Sequence, residues 1–172
     1  PLIIKKSTNE KKNKFYELKG SAQVKSAIMI AALQKNSLTK IIAKKSRNHT
    51  ENFFKFLKIP TKIKKTKKFD FISVKGVKKF KSFNYNIPSD ISSSLFFIAL
   101  TILTKKSQIK IKNVNINTTR LGAVEILKRM GIKFELSKIK NYKGEKVSDI
   151  KVSSPKIIKS INCPVKFNSS AI

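Results

Sequence analysis

The sequence of this chain contains an internal repeat. Residues 37–42 align with residues 107–112 at an offset of 70, and residues 56–58 align with residues 126–128 at the same offset. In each half, the apolar pattern indicates a strand, an apolar helix, a second strand, an amphipathic helix and two closing strands. The sequence therefore predicts an α/β (α+β) fold of two tandem β-α-β-α-β-β units.

The elements of the two units follow from the alternation of apolar and polar residues. In the first unit we expect strands at residues 2–5, 15–18, 38–43, 63 and 69–74, a helix at residues 21–33, and a helix that begins near residue 46. In the second unit we expect strands at residues 83–87, 108–114, 132–136 and 149–152, and helices that begin at residues 90 and 118. The seam lies near residue 87, and a third unit is expected to begin near residues 164–167.

The first helix of each unit is apolar around nearly its whole circumference. In the helix at residues 21–33, one face is filled by Val24, Ala27, Ile28 and Ala31. Residues 95–100 form a similar apolar run in the second unit. Helices with this pattern are typically buried, so we expect both to lie in the core.

The helix that begins after Gly20 has features of an anion site. Ser21 is a favoured N-cap residue, and Gln23 and Lys25 follow it closely. The free N–H groups of a first helical turn, together with the helix dipole, attract phosphate or carboxylate. The alternative is an ordinary capped helix of the core, and the residues alone leave both interpretations open.

The predicted topology gathers the polar helix starts of each unit at one edge of its sheet. Helices that connect parallel strands begin at the carboxyl ends of those strands, where α/β sheets bind ligands. The residues expected at this edge are Ser21, Gln23, Ser46 and Arg47 in the first unit, and Asp90, Ser92, Thr119 and Arg120 in the second. Arg47 can hold a phosphate with its fork of donors. His49 has no visible partner in the sequence, and we interpret it as a solvent-facing polar residue.

The composition is strongly basic, with 39 Lys plus Arg against 9 Asp plus Glu, a formal net charge of +30. Such a charge favours non-specific binding of nucleic acid. The lysines are spread along the chain, however, and Ile, Asn and Phe are abundant with them, which is typical of A/T-rich coding bias. We therefore expect no specific nucleic-acid partner.

The remaining composition indicates a cytoplasmic protein without a metal cluster. Cys163 is the single cysteine, so the chain has no disulfide framework. No secretory signal is visible, and the apolar run at residues 95–103 is about half the length of a membrane-spanning helix. Pro1 at the first position and an end at Ile172 without a closing element suggest a fragment.

Six stretches of the chain resemble the 5-enolpyruvylshikimate-3-phosphate synthase family (3-phosphoshikimate 1-carboxyvinyltransferases). They are SAQVKSA at 21–27, SRNHTE at 46–51, PSDISSS at 88–94, NTTRLG at 117–122, LKRMG at 127–131 and GEKVSDI at 144–150. Their order and spacing match the middle part of a family member. The resemblance implies two lobes built of β-α-β-α-β-β units in an inside-out α/β barrel, with the active site between the lobes. It implies that residues 1–87 end the N-terminal lobe and residues 88–172 begin the C-terminal lobe.

The resemblance also implies the reaction and the site. The family transfers the enolpyruvyl group of phosphoenolpyruvate to the 5-hydroxyl of shikimate 3-phosphate, with no metal or organic cofactor. The positions that match its shikimate 3-phosphate contacts are Ser21, Ala22, Gln23, Ser46 and Arg47. Gln23 also matches a phosphoenolpyruvate contact, and Asp90 is interpreted first as a helix cap. The acid and base residues fall outside this chain, so we expect the chain alone to be inactive. The full-length protein is expected to be a monomer.

Three alternatives stay open at this point. The first is the sister transferase that acts on a UDP-linked amino sugar, UDP-N-acetylglucosamine, although the stretches at 21–23 and 46–51 look wrong for it. The second is a basic nucleic-acid-binding module. The third is a truncated gene without activity.

Overall fold

The computed structural model describes residue 3, residues 13–77 and residues 79–171. The chain folds into two compact units: Pro1–Ser46 with Phe54–Lys81, and Arg47–Phe53 with Ser82–Ile172. Apart from residue 3, the strand predicted at residues 2–5 lies outside the described residues.

The first unit is a four-stranded sheet with its helices. Its elements in chain order are β1 (Lys14–Glu17), α1 (Ala22–Ala32), β2 (Leu38–Lys44), α2 (His49–Phe56), β3 (Thr61–Lys65) and β4 (Phe69–Lys75), and the first residues of α2 belong to the second unit. The strand order is β1-β2-β4-β3, in which β1 and β2 are parallel and the other pairs are antiparallel. The alternating apolar residues of β2 and β4 face a core that includes Met29, Ile41, Phe54, Ile72 and Val74.

The second unit repeats this plan with three strands. Its elements are α3 (Ile91–Leu103), β5 (Gln108–Asn115), a 3₁₀ turn (Thr118–Arg120), α4 (Gly122–Arg129), β6 (Phe134–Tyr142), β7 (Glu145–Ser153), a second 3₁₀ turn (Val165–Phe167) and α5 (Asn168–Ala171). The antiparallel order β5-β7-β6 matches the order β2-β4-β3 of the first unit. The core includes Ile91, Ile98, Val114, Val124 and Ile150.

The internal repeat is confirmed, but its offset is not constant. β2 begins at Leu38 and β5 begins at Gln108, which gives the predicted 70. At the ends of α2 and α4 the same hydrogen bond recurs 73 residues apart, from Ile59 N to Phe54 O at 2.9 Å and from Ile132 N to Leu127 O at 3.0 Å. The alignment of residues 56–58 at an offset of 70 is therefore wrong. The three extra residues lie in the longer β5 and in the connection that contains the 3₁₀ turn.

The strand predicted at residues 83–87 is not formed. Among the described residues 79–90, the only strand-like pairing is a parallel bridge between Ser89 and Val114. The backbone N–H of Asn86 donates instead to the Tyr142 hydroxyl at 3.0 Å. The Tyr85 ring packs against Tyr142, with centroids 5.4 Å apart. Side-chain contacts thus take the place of a strand ladder.

Burial of the two apolar helices around their whole circumference was expected, and this is wrong. In α3, Ile98 is fully buried while Phe96 is 81% exposed. In α1 the predicted inner face is displaced, because Lys25 and Met29 are buried while Val24 is 50% exposed. One face of each helix packs on its sheet, and no element in the described part of the chain covers the other face.

The closing hairpin of the second unit is longer than predicted. The expected strands at residues 132–136 and 149–152 extend to β6 and β7, which meet at a tight turn where Gly144 has φ of 93°. Glycine accepts this left-handed conformation without steric cost. Where a third unit was expected to begin, the chain forms the second 3₁₀ turn and α5. No helix among the described residues is long and apolar enough to span a membrane.

Candidate functional site

A buried carboxylate shapes the turn that leads into α1. Glu17 ends β1, and its two oxygens accept hydrogen bonds from Lys19 N at 3.0 Å and from Gly20 N at 2.9 Å. Gly20 has φ of 84°, a left-handed conformation that side chains disfavour. The turn therefore depends on both residues. Glu17 was not predicted as a contributor to the site.

The N-terminus of α1 is capped as predicted. Ser21 Oγ accepts a hydrogen bond from Val24 N at 3.2 Å and lies 3.5 Å from Gln23 Oε1. Ala22 is half-buried, whereas Gln23 is exposed to solvent with an amide that both donates and accepts. Lys25 is fully buried, so it does not add a solvent-facing charge beside them.

Ser46 lies at the same sheet edge as Ser21. β1 and β2 are parallel, with Glu17 opposite Ala43, so the segments after them leave the sheet side by side. The closeness continues beyond the strands, because a Cβ on Gly20 would lie 3.6 Å from the Lys45 carbonyl oxygen. The Ser46 hydroxyl is buried and has no hydrogen-bond partner among the described residues.

Arg47 follows Ser46 directly but belongs to the second unit. Its side chain is half-buried at the start of the turn before α2. The structure thus brings Ser21, Ala22, Gln23 and Ser46 to one edge of the first unit. That Arg47 holds a phosphate together with these residues stays a prediction.

A cluster of polar side chains surrounds Glu145 in the second unit. Glu145 Oε1 accepts from Asn52 Nδ2 at 3.2 Å and lies 2.8 Å from His49 Nδ1. Its other oxygen accepts from Asn117 Nδ2 at 3.0 Å. His49 was interpreted as a solvent-facing polar residue, and its side chain is 36% exposed, but it also has a partner in Glu145. The sequence did not reveal this partner because the two residues are 96 positions apart. We call Asn48, His49, Asn52, Asn117, Thr119 and Glu145 the Glu145 cluster.

The charge of Glu145 is stabilised by these contacts. Burial by itself raises the pKa of the Glu145 carboxyl, but the hydrogen bonds from His49, Asn52 and Asn117 outweigh burial and bring the pKa below its ordinary value. Glu145 is therefore ionised at neutral pH. Its ionised carboxylate can accept from all three side chains at once.

Three of the four residues predicted at the edge of the second unit lie together, although the strands of that sheet are antiparallel. Asp90 caps α3 by accepting from Ser93 N at 3.1 Å, and Arg120 Nη2 lies 3.1 Å from Asp90 Oδ1. Arg120 also donates to Ser92. Burial raises the pKa of Asp90, but the Ser93 amide and the Arg120 charge more than offset it. The interpretation of Asp90 as a cap is confirmed, whereas Thr119 lies in the Glu145 cluster.

The groups at the first edge are of kinds that can bind an anion. The first edge offers a capped helix end, two hydroxyls and an amide. Among the described residues, no group of three or more His, Cys, Asp or Glu side chains could hold a metal ion.

Comparison with known proteins identifies the protein family. A sequence model of the EPSP synthase family, 3-phosphoshikimate 1-carboxyvinyltransferase, matches residues 1–166. The chain belongs to the EPSP synthase family. A 3-phosphoshikimate 1-carboxyvinyltransferase of Endomicrobium trichonymphae is 35% identical over 158 residues, which are 91% of this chain and 36% of that protein. One from Staphylococcus epidermidis is 42% identical over 140 residues, or 81% of this chain and 32% of that protein.

Solved structures agree with this family assignment and with the predicted fold. An EPSP synthase from Acinetobacter baumannii superposes with a TM-score of 0.79 at 31% identity, over 92% of this chain and 35% of that chain. The enolpyruvyl transferase fold that the resemblance implied is confirmed for the part of the fold that this chain covers. The chain spans about a third of the length of the EPSP synthases that it matches.

Proposed function

We propose that this chain is the part of a 3-phosphoshikimate 1-carboxyvinyltransferase that binds shikimate 3-phosphate. The complete protein would transfer the enolpyruvyl group of phosphoenolpyruvate to the 5-hydroxyl of shikimate 3-phosphate and release phosphate. The observation that carries the proposal is the family match over residues 1–166. We further propose that residues 1–87 close the N-terminal lobe, that residues 88–172 open the C-terminal lobe, and that the full-length protein is a cytoplasmic monomer.

The chemistry of the first edge supports this substrate. Shikimate 3-phosphate carries a phosphate and hydroxyl groups, and the N-terminus of a helix such as α1 attracts phosphate. Ser21, Ala22 and Gln23 begin this helix. The buried hydroxyl of Ser46, which has no partner among the described residues, is a group that a ligand can satisfy. Arg47 would add a charge-assisted contact.

Gln23 is proposed to contact both substrates. Its exposed amide can donate to one oxygen and accept from a hydroxyl at the same time. The proposed site holds no general acid or base of its own. The chain alone should therefore bind but not turn over, and the acid and base residues should come from other parts of the complete protein.

Substitutions at the site test this assignment in the protein expressed from the complete reading frame. Gln23→Ala and Arg47→Ala should each lower kcat/KM at least about tenfold, as expected for the loss of a charge-assisted contact to an anionic substrate. Gln34→Ala is the matched control, because Gln34 is exposed just after α1. Values within about twofold of the parent for both site variants would contradict the assignment.

A further inference from the structure

We propose that Glu145 and Asn117 are positioning residues that hold the start of α2, and with it Arg47, in the geometry that binds substrate. This inference rests on the proposed function, because Arg47 enters it as a substrate contact. Neither Glu145 nor Asn117 is placed against substrate. They act through the three side chains of the α2 start that they contact.

Glu145 lies at a buried position where its side chain is held by hydrogen bonds. It is the first residue of β7, directly after the tight turn at Gly144, and it is 6% exposed. Its two oxygens accept three side-chain hydrogen bonds, two from the start of α2 and one from Asn117. Displacing a buried carboxylate whose oxygens are both hydrogen-bonded costs much free energy, so the carboxylate restrains the side chains that it binds.

Asn117 also binds Asn48, the residue next to Arg47. Its Nδ2 donates both to Glu145 Oε2 at 3.0 Å and to Asn48 Oδ1 at 2.8 Å. Its Oδ1 accepts from the backbone and the hydroxyl of Thr119, at 2.9 and 2.8 Å. The orientation of the amide is thereby determined, since a flip would place donors against donors.

The anchored residues follow Arg47 at once. Asn48, His49 and Asn52 all lie within five positions of it and are each tied to Glu145 or Asn117. The first helical hydrogen bond of α2 runs from Asn52 N to Asn48 O at 3.1 Å, between two anchored residues. The backbone that carries Arg47 is therefore fixed from its C-terminal side. Loss of the anchors should weaken substrate binding and leave the chemical step largely intact.

The kinetic test uses the protein from the complete reading frame, with shikimate 3-phosphate as the varied substrate. Glu145→Gln should raise the KM for shikimate 3-phosphate about tenfold and leave kcat within about threefold. The Gln amide has a single acceptor oxygen, so it cannot accept hydrogen bonds from both the α2 start and Asn117. The double variant Glu145→Gln with Arg47→Ala should be no worse than Arg47→Ala alone. The control is Glu135→Gln, since Glu135 is an exposed acid of β6 whose side chain forms an ion pair with Lys151 at 3.5 Å.

A pair at position 49 separates positioning from direct contact. His49→Asn keeps a donor near the place of Nδ1, whereas His49→Ala removes it. We expect His49→Asn to retain most of the substrate affinity that His49→Ala loses. Equal losses in the two variants would overturn the positioning role, as would full additivity of Glu145→Gln with Arg47→Ala. The half-exposed position of His49 keeps this pair usable if Glu145→Gln fails to fold.

Hydrogen exchange distinguishes failure of this inference from failure of the proposed function. The Asn52 amide should exchange about tenfold faster in Glu145→Gln, or in His49→Ala, than in Glu135→Gln. Faster exchange in a protein that shows no transferase activity would retain the anchoring and overturn the proposed function. Unchanged exchange and unchanged KM in an active protein would overturn the anchoring alone.

Discussion

At the scale of single residues, buried acids organise the turns of both units. Glu17 holds the turn before Ser21, and Glu145 holds the turn after Arg47. Of the 9 acidic residues, Glu10 lies outside the described residues, and five of the other eight are buried. In a chain with a formal charge of +30, acids kept in the interior carry structural roles.

Removal of the Glu17 carboxylate should loosen the turn before α1. Glu17→Ala leaves the N–H groups of Lys19 and Gly20 without their acceptors, and we expect a loss of about 1–3 kcal/mol in the free energy of unfolding. Glu17→Gln keeps one acceptor and should lose less. Urea unfolding of both variants beside Glu135→Ala measures the effect. Equal stability of all three variants would show that the turn does not depend on Glu17.

At the scale of elements, the two apolar helices show how burial departs from hydrophobicity. Both were expected to be buried all round, yet Phe96 and Leu103 of α3 are exposed while Ser94 and Thr101 are buried. The buried hydroxyls donate to carbonyls one turn back, Ser94 to Asp90 and Thr101 to Phe97, each at 2.8 Å. These hydroxyls make their hydrogen bonds within the helix and can therefore be buried. A search for apolar residues does not predict such buried positions.

The two faces of α3 should respond differently to truncation. Ile98→Ala removes a fully buried side chain and should lower the free energy of unfolding of the chain by about 2–5 kcal/mol. Phe96→Ala removes a larger but exposed side chain and should change it by less than about 0.5 kcal/mol. Denaturant unfolding of the two variants makes the comparison. A larger loss for Phe96→Ala would mean that the outer face of α3 is packed.

Local patterns predicted the elements well where the period was clear. Strands β2, β4 and β5, the caps at Ser21 and Asp90, and the order of the repeat were all expected. The Glu145 cluster could not be predicted, since its partners are 28 to 96 residues apart and only the fold brings them together. Two signals were present in the sequence: acids are rare, and five of the six cluster residues lie in the family-like stretches at 46–51, 117–122 and 144–150.

At the scale of the whole molecule, charge makes stability depend on pH. In the second unit the pKa values of Asp90, Glu145 and Asp149 all lie below their ordinary values. For Asp149 the main cause is the hydrogen bond from Asn113 N at 3.0 Å, with Lys110 adding its charge. Groups with lowered pKa values stabilise the fold above their unfolded pKa, and this stability is lost as pH falls through the folded pKa.

The melting temperature should therefore vary little between about pH 7 and pH 5 and fall below about pH 4.5, where these carboxyl groups begin to protonate in the unfolded chain. Asp149→Asn should melt lower at pH 7 and lose less on acidification. Thermal melts at a series of pH values, with Glu135→Gln as control, measure both effects. An equal fall of the melting temperature with pH in the parent and in both variants would show that other groups cause the acid sensitivity.

Phosphate release by the protein from the complete reading frame tests the proposed reaction and its substrate together. We predict release only when phosphoenolpyruvate and shikimate 3-phosphate are both present, no release when UDP-N-acetylglucosamine replaces shikimate 3-phosphate, and loss of release in Gln23→Ala but not in Gln34→Ala. Absence of release from the folded protein with both substrates, or release with the nucleotide sugar instead, would overturn the proposed function.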